Sequence, residues 1–504
     1  MKDTVTGSVT LIGAGCGKGL ISCKGLSVLR KADVVVYDDL IDTGLLFETK
    51  ENCELIYVGK RFEKHSEEQE RIHEILAWKA GEGKAVVRLK GGDGFVFGRG
   101  GEEMLALKEK NIPVCIIPGI SSAIAVPENL GIPVTHRGMA QSVTLITGHT
   151  AAGQKEDYET LAKLKGTLVF LMGLHHAEEI AEQLIQYGRD PMTPAAILCN
   201  GFRAGEKRIN GRLRDTAEMV KQARTPAVFL VGEVAGLDLS STVYEPLKGV
   251  SVTLTGTRYF TEKLEKLLVE KGACVEKRPG IEICPDFSGL PEDFSGYDWL
   301  AFTSANGIRC FFSYLKEKNI DYRKIAHLRF ACIGSGTAQT LKEYGFTADL
   351  IPREYTAEAL GRELAEKTGP QEKLLILRAE NGSRLLNAVL NRAGTAYEDC
   401  KIYETKPFCK GIENQKEEET DYIVFASALG ARAYLEKHKL SDFVKVVCIG
   451  EATAAVLGDR RVLLPSEHTA AAIADLIEED YLEEGKDWKE KEDRDEKISQ
   501  IEKQ

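Results

Sequence analysis

The sequence predicts an α/β protein built as two successive halves, and three observations carry that prediction. From Ser8 to Val234, apolar runs of strand length end in glycine-rich turns and pass into helical stretches. That is the strand–turn–helix alternation of sheets flanked by helices. The alternation starts afresh at Val250, after a short polar connection. The second half then echoes itself. Asp298–Gly307 (DWLAFTSANG) recurs loosely as Asp421–Gly430 (DYIVFASALG), and Phe330–Ala338 (FACIGSGTA) as Val446–Ala454 (VVCIGEATA). Two similar stretches imply two similar lobes, each a small parallel sheet with helices.

The chain has 504 residues, which at roughly 100–200 residues per domain allows three or four compact units. Hydrophobic residues make up 43% and charged residues 28%, an ordinary globular balance. A net charge of -11 argues against general nucleic-acid or anionic-membrane binding. No apolar run approaches the length of a membrane span, and Met1-Lys2-Asp3-Thr4 leads straight into a strand without a signal peptide. The twelve cysteines are scattered with no Cys-x-x-Cys pair, and Cys115, Cys332 and Cys448 sit inside apolar runs. This reads as reduced core cysteine in a cytoplasmic protein, with no disulfide frame and no metal site.

Ser8–Ile12 reads as a strand, Gly13–Gly19 as a turn, Leu20–Ala32 as a helix and Asp33–Asp39 as a second strand. A dinucleotide-binding unit has this outline, but the third glycine of its G-x-G-x-x-G would fall at Lys18. Asp38, at a strand end, reads as a turn cap or as a proton acceptor. Lys60, Arg61, Lys64 and His65 gather four potential cations in one loop beside Glu63, Glu67 and Glu68. The loop suits either a polycarboxylate ligand or plain solvation. The run Val86–Lys90 ends at Gly91-Gly92-Asp93, and Gly98-Arg99-Gly100-Gly101 opens a helix. Glycines there admit a ligand close to the backbone. Asp93 can accept from hydroxyl or ammonium groups, and Arg99 adds a cation at the helix start.

Ile112–Pro118 is a further strand, and Ser121 and Ser122 after Pro118-Gly119 can cap a helix or hold a ligand. His136 reads as structural and Arg137 as a carboxylate partner. Thr167–Gly173, Pro194–Gly201 and Pro226–Val234 read as strands, and Met172, taken alone, as core packing.

The string VRLKGGDGFVFGRGGEE, Val87–Glu103, closely resembles the signature loop of the tetrapyrrole (corrin/porphyrin) methyltransferases, specifically the uroporphyrinogen-III C-methyltransferases. The resemblance spans Thr4–Leu237 and departs at Cys16 and Lys18, where the family has Pro and then Gly-Asp in a loop one residue longer. It implies S-adenosyl-L-methionine as methyl donor, Asp38 as proton acceptor and Lys60 as proton donor. It further implies donor contacts at Gly13, Gly15, Cys16, Gly91, Gly92, Asp93, Val96, Ser121, Ser122, Met172 and Gly201. Arg61, Arg99 and Arg137 are then the expected holders of substrate carboxylates, and a homodimer through this half is implied.

From about Lys248 to Glu478 the chain resembles uroporphyrinogen-III synthase. The match rests on Phe302–Gly307, the two Ile-Gly-x-x-Thr-Ala motifs, Leu377-Arg378 and Ile402–Thr405. In that family the chain crosses between lobes twice, here expected near Pro279–Pro285 and near Tyr403–Pro407. The resemblance implies that Tyr403 acts on substrate with Thr337 and Thr453 near it. Ser304 and Ser427 pair with these threonines as ligand-facing hydroxyls, although each of the four alone reads as a helix cap. Arg258, Arg309, Arg378 and Arg384 are candidate carboxylate holders.

The expected architecture is a two-subdomain tetrapyrrole methylase fold followed by a bilobal, synthase-like pair of parallel-sheet α/β lobes. The methyltransferase takes residues 1–240, with subdomains of about 1–135 and 136–240, and a linker takes 241–248. The synthase takes 249–480, with one lobe of about 249–282 plus 408–480 and the other of about 285–405. The charged tail 481–504 has no assigned chemistry.

Together the resemblances imply a bifunctional enzyme with tetrapyrrole substrates, no nucleic-acid partner and no membrane. It cyclises hydroxymethylbilane to uroporphyrinogen III and methylates that product twice to precorrin-2, on the sirohaem and cobalamin route. No dehydrogenase or chelatase unit precedes it, so neither oxidation nor metal insertion is expected. The alternatives are an NAD-dependent oxidoreductase fused to a bilobal ligand-binding module, a non-enzymatic tetrapyrrole carrier, and a methyltransferase for a later corrin intermediate.

Overall fold

The structure is a computed structural model and describes residues 7–50, 52–59, 65–148, 156–278, 280–407 and 420–483, with the side chains of 65–68 and 407 left aside. The chain divides into two compact units. One comprises 1–253, 268–277 and 409–421, and the other 254–267, 278–408 and 422–504. Among the described residues no helix is long and apolar enough to cross a membrane.

The first sheet contains β1 (Ser8–Gly13), β2 (Val34–Tyr37), β3 (Glu54–Tyr57), β4 (Ala85–Lys90) and β5 (Val114–Ile117). Its order is β3-β2-β4-β1-β5 and every pair is parallel. All four residues of β2 are buried, as expected of parallel strands covered on both faces. The helix after β1 is shorter than its sequence suggests, Cys23–Leu29, because Ser22 caps it by accepting from Gly25 N at 3.1 Å.

The second sheet contains β6 (Val143–Thr147), β7 (Thr167–Leu171), β8 (Pro194–Cys199), β9 (Lys207–Arg212) and β10 (Ala227–Val231), in the order β6-β7-β10-β8-β9. Its β6–β7 pair is parallel and the other pairs are antiparallel. β9 was not foreseen. Ile209 is its one large apolar residue, and an edge strand needs little more.

Among the described residues ten further strands follow: β11 (Ser251–Thr255), β12 (Cys274–Lys277), β13 (Ile281–Pro285), β14 (Trp299–Phe302), β15 (Arg329–Cys332), β16 (Leu374–Ala379), β17 (Tyr397–Pro407), β18 (Tyr422–Phe425), β19 (Lys445–Cys448) and β20 (Val462–Leu463). They form one sheet of order β12-β11-β18-β19-β20 and one of order β13-β17-β16-β14-β15. The two expected crossing stretches lie side by side. β13 and β17 pair antiparallel, with Ile281 opposite Pro407 and Pro285 opposite Tyr403. Pro279 lies outside the described residues.

The echo in the sequence is an echo in space. β14–β15 and β18–β19 are both parallel pairs. Ser304 caps helix Ala305–Glu317 at φ −165°, ψ 157°, and Ser427 caps helix Ala428–Leu435 at φ −165°, ψ 153°. Gly334 and Gly450 head the next helices without a side-chain cap. A third echo escaped the sequence reading: Ile351–Leu360 (IPREYTAEAL) matches Leu464–Ile473 (LPSEHTAAAI). Its threonines do the same work, Thr356 accepting from Ala359 N at 3.1 Å and Thr469 from Ala472 N at 3.2 Å.

Candidate active sites

Parallel pairing brings the C-terminal ends of β4, β1 and β5 to one edge, with Gly13 opposite Lys90 and Ile12 opposite Ile117. That edge is where open α/β sheets take ligands. The loops after β1 and β4 are zipped together: Gly15 N donates to Gly92 O at 3.1 Å, and Gly92 N to Gly15 O at 2.7 Å. Glycine at position 13 is a steric need, since a Cβ there would stand 2.4 Å from Gly119 N. Gly92 has φ +65°, and the nearest atom to a Cβ there would be Ser122 N at 3.7 Å. Its open side therefore faces the start of helix Ser122–Asn129. Ser121 caps that helix, its hydroxyl accepting from Ala123 N at 3.3 Å. Gly91 backs onto Leu40, whose Cβ would lie 2.7 Å from a Cβ at Gly91.

Asp93 first serves the backbone. One carboxylate oxygen accepts from Phe95 N at 2.8 Å and the other from Gly119 N at 3.0 Å, which staples the β4 loop to the β5 loop. Each oxygen keeps a second acceptor site. Val96, Cys16 and Phe202 pack against the cluster that contains Val126 and Leu171. Burial pushes the Cys16 thiol up to about 11, against a smaller opposing pull from its own backbone and Arg203. Gly201 lies against Val126, whose methyl would stand 2.6 Å from a Cβ there.

Core packing, the simplest reading of Met172, is overturned. The residue has φ 55° just past β7 and is 56% exposed. Leu40, Phe95, Phe97 and Ile120, also on strand-end loops, are exposed as well.

Asp38 follows β2 directly. One oxygen accepts from Arg88 Nη2 at 2.9 Å and the other from Leu40 N at 3.2 Å. Arg88, Lys90 and the fully buried Glu103 behind it were missed by the sequence reading. The signal was present: two cations inside an apolar strand require a buried anion. Lys60 and Arg61 lie outside the described residues. Arg99 forks onto Glu102, at 2.6 Å for its closest contact. Arg137 is exposed, and the neighbouring His136 exchanges backbone hydrogen bonds with Ala140 at 2.9 and 3.0 Å.

In the second half, Tyr403 and Ser304 come together with their oxygens 2.7 Å apart. Tyr403 is buried inside β17, and burial raises its phenol above its ordinary value while the Ser304 hydrogen bond pulls the other way. Ser304 and Ser427 are both helix caps, accepting from Gly307 N and Gly430 N at 3.1 and 3.0 Å. Thr337 and Thr453 are not. Each stands three residues past the glycine that heads its helix, and each is buried.

Of the four arginines expected to hold carboxylates, three are engaged within the chain. Arg378 is buried and forks onto Asp399 with two contacts of 2.7 Å, and Arg258 pairs with Glu262 at 2.8 Å. Arg309 lies over the Tyr259 ring at 3.2 Å and donates to Thr340 at 3.2 Å, with a buried Nε left unpartnered. Arg384 is exposed. Among the described residues no group of three or more His, Cys, Asp or Glu is arranged to hold a metal.

Residues 8–217 match the family model of the tetrapyrrole (corrin/porphyrin) methylases, and residues 262–483 match that of uroporphyrinogen-III synthase HemD. The chain is 36% identical over 467 residues to the porphyrin biosynthesis protein HemD of Ruminiclostridium josui, covering 89% of this chain and 92% of that one. It is 54% identical over 238 residues to the uroporphyrinogen-III C-methyltransferase of Methanocaldococcus jannaschii, covering 46% of this chain and 98% of that one. Among solved structures, the Thermus thermophilus uroporphyrin-III C-methyltransferase complexed with S-adenyl homocysteine matches at 38% identity and a TM-score of 0.40, over 46% of this chain and 94% of that one. The chain thus belongs to two families in succession, the tetrapyrrole (corrin/porphyrin) methylases in its first half and the HemD uroporphyrinogen-III synthases in its second.

Proposed function

We propose that this chain is a bifunctional enzyme of tetrapyrrole biosynthesis. Its second half closes hydroxymethylbilane to uroporphyrinogen III with loss of water. Its first half methylates that product twice with S-adenosyl-L-methionine and yields precorrin-2. The observation that carries this reading is the single similarity, 467 residues long, that runs through both halves. The order is chemically sensible, because the product of one half is the substrate of the other.

The donor supplies an electrophilic methyl group on sulfur. Residues of the first half fit it: Gly92 leaves an open side towards Ser121 and Ser122, and Gly13, Gly15 and Gly91 let the neighbouring loops pack close around that opening. Asp93 keeps the floor rigid, while Val96, Met172 and Gly201 offer surface to an adenosyl group. A thiol at about 11 remains protonated at neutral pH, so Cys16 does not compete for the methyl group.

Methylation of a pyrrole carbon leaves a cationic ring that must lose a proton, and Asp38 is the acceptor in this reading. Arg88 and Leu40 N hold its two oxygens in place. Lys60 is the proton donor, and Arg61, Arg99 and Arg137 answer the substrate carboxylates. For Arg99 this requires release from Glu102, an exposed pair of small net worth. Ring closure depends on how the open chain is folded. Tyr403 with Ser304, and Thr337, Ser427 and Thr453, supply hydroxyls to hold it. We further take the enzyme to be a cytoplasmic homodimer joined through the methyltransferase half.

The test is mass spectrometry of the product formed from hydroxymethylbilane and S-adenosyl-L-methionine. One water lost and two methyl groups gained is the expected result. An unmethylated or unclosed product overturns the corresponding half of the reading.

A further inference from the structure

Arg88 and Lys90 lie in β4, where the neighbouring Val86, Val87 and Leu89 are apolar and buried. Both cations are buried too, at 3% and 6% exposure, and Glu103 in helix Gly100–Glu109 is buried completely. One Glu103 oxygen accepts from Lys90 Nζ at 2.7 Å, from Gln69 Nε2 at 3.2 Å and from Arg88 Nε at 3.4 Å. The other oxygen is buried without a partner. The same Arg88 guanidinium reaches the opposite way. Its Nη2 donates to Asp38 at 2.9 Å, and its Nη1 to Leu89 O at 2.9 Å and Val36 O at 3.4 Å. One rigid fork therefore joins a buried carboxylate to the half-exposed carboxylate at the rim of the site.

A fully buried carboxylate is destabilising unless charge and hydrogen bonds compensate it. Packing alone has no use for it, since an apolar residue of that size would serve better.

We propose that Glu103 is a positioning residue for methyl transfer, which holds the Arg88 fork, and through it the Asp38 carboxylate, in the orientation that takes up the ring proton. This rests on the reading of Asp38 as proton acceptor. Other groups face the cluster. His73 lies beside Gln69 on helix His65–Gly81, with burial lowering its imidazole. Arg99 pairs with Glu102, and Asp39 bonds to Tyr57 on β3. Burial, and then Arg88, push the Lys90 ammonium down, against the opposing pull of Glu103.

The test uses the full chain with uroporphyrinogen III and S-adenosyl-L-methionine. Glu103→Gln keeps the shape and removes the charge. Plateau kcat is expected to fall several-fold, with KM for the donor and the rate of ring closure unchanged. A folded Glu103→Gln with wild-type kcat overturns the proposal. Should that variant not fold, Arg88→Lys decides, because it keeps the strand charge and removes the fork. Loss of kcat at constant KM supports the proposal, and wild-type kcat overturns it. A wild-type chain that transfers no methyl group overturns the functional reading first, and the proposal with it.

Discussion

Ser304 and Ser427 form an internal control within one chain. Each caps a helix in the same conformation, accepting a backbone N–H at 3.1 or 3.0 Å. Ser304 in addition meets the hydroxyl of Tyr403 at 2.7 Å, and Tyr403 is only 5% exposed. Ser427→Ala removes a cap and is expected to cost about 1 kcal/mol. Ser304→Ala removes the same cap and strands a buried phenol, a further cost of about 1–3 kcal/mol, so about 2–4 in all. Tyr403→Phe leaves Ser304 bonded to Gly307 N and is expected to cost about 1 kcal/mol. The double variant holds no stranded hydroxyl and is expected to cost about 2 kcal/mol, below the sum of the singles by about 1–3. The assay is urea unfolding of the full chain, followed by fluorescence of the buried Trp299 with Trp78 and Trp488 replaced by Phe. Equal costs for the two serine variants, within about 0.5 kcal/mol, would refute the reasoning, and so would an additive double variant.

Three further outcomes follow from the first half. Gly92→Ala puts a side chain at φ +65°, at a cost of about 1–2 kcal/mol. With no atom nearer than 3.7 Å to the new Cβ, it folds, but the methyl enters the proposed donor cleft. Calorimetry should show weakened adenosylhomocysteine binding, and unchanged affinity would count against that cleft. With its thiol pushed up to about 11, Cys16 should react slowly with iodoacetamide at pH 8. Its thiolate fraction, and so its rate, should rise about tenfold per pH unit until that value is reached. Peptide mass spectrometry can follow this against the exposed Cys23, and fast labelling of Cys16 at pH 8 would contradict its burial. Asp38→Asn should lower methylation by about 10²–10⁴-fold and leave ring closure intact, as the two rates measured on one preparation would reveal.

Much of the scaffold was legible because it depends on local pattern. The apolar run Val34–Tyr37 can hardly be other than a buried strand, and Gly91-Gly92-Asp93 after Val86–Lys90 reads as a strand-end loop. The repeat in the second half announced two lobes, since similar strings fold alike. β9 escaped because an edge strand carries almost no apolar signature. The third echo escaped because Tyr355 and His468 differ at its centre while the capping threonines agree.

Side-chain partnership is another matter. From spacing alone, Asp93 looks free to meet a ligand, Arg378 free to hold one, and Met172 ready to be buried. Folding gives Asp93 two backbone amides, Arg378 the carboxylate of Asp399, and Met172 an exposed position. No periodicity foretells that Arg88 joins Asp38 to Glu103 across 50 and 15 positions of chain, or that Tyr403 finds Ser304 across 99. The order of strands and the place of the glycine loops are written in short stretches of residues, because backbone hydrogen bonding and burial act on short stretches. Which charge answers which, and which hydroxyl stays free, emerges only when distant stretches are packed together, because desolvation then drives most buried polar groups to whatever partner lies within about 3 Å.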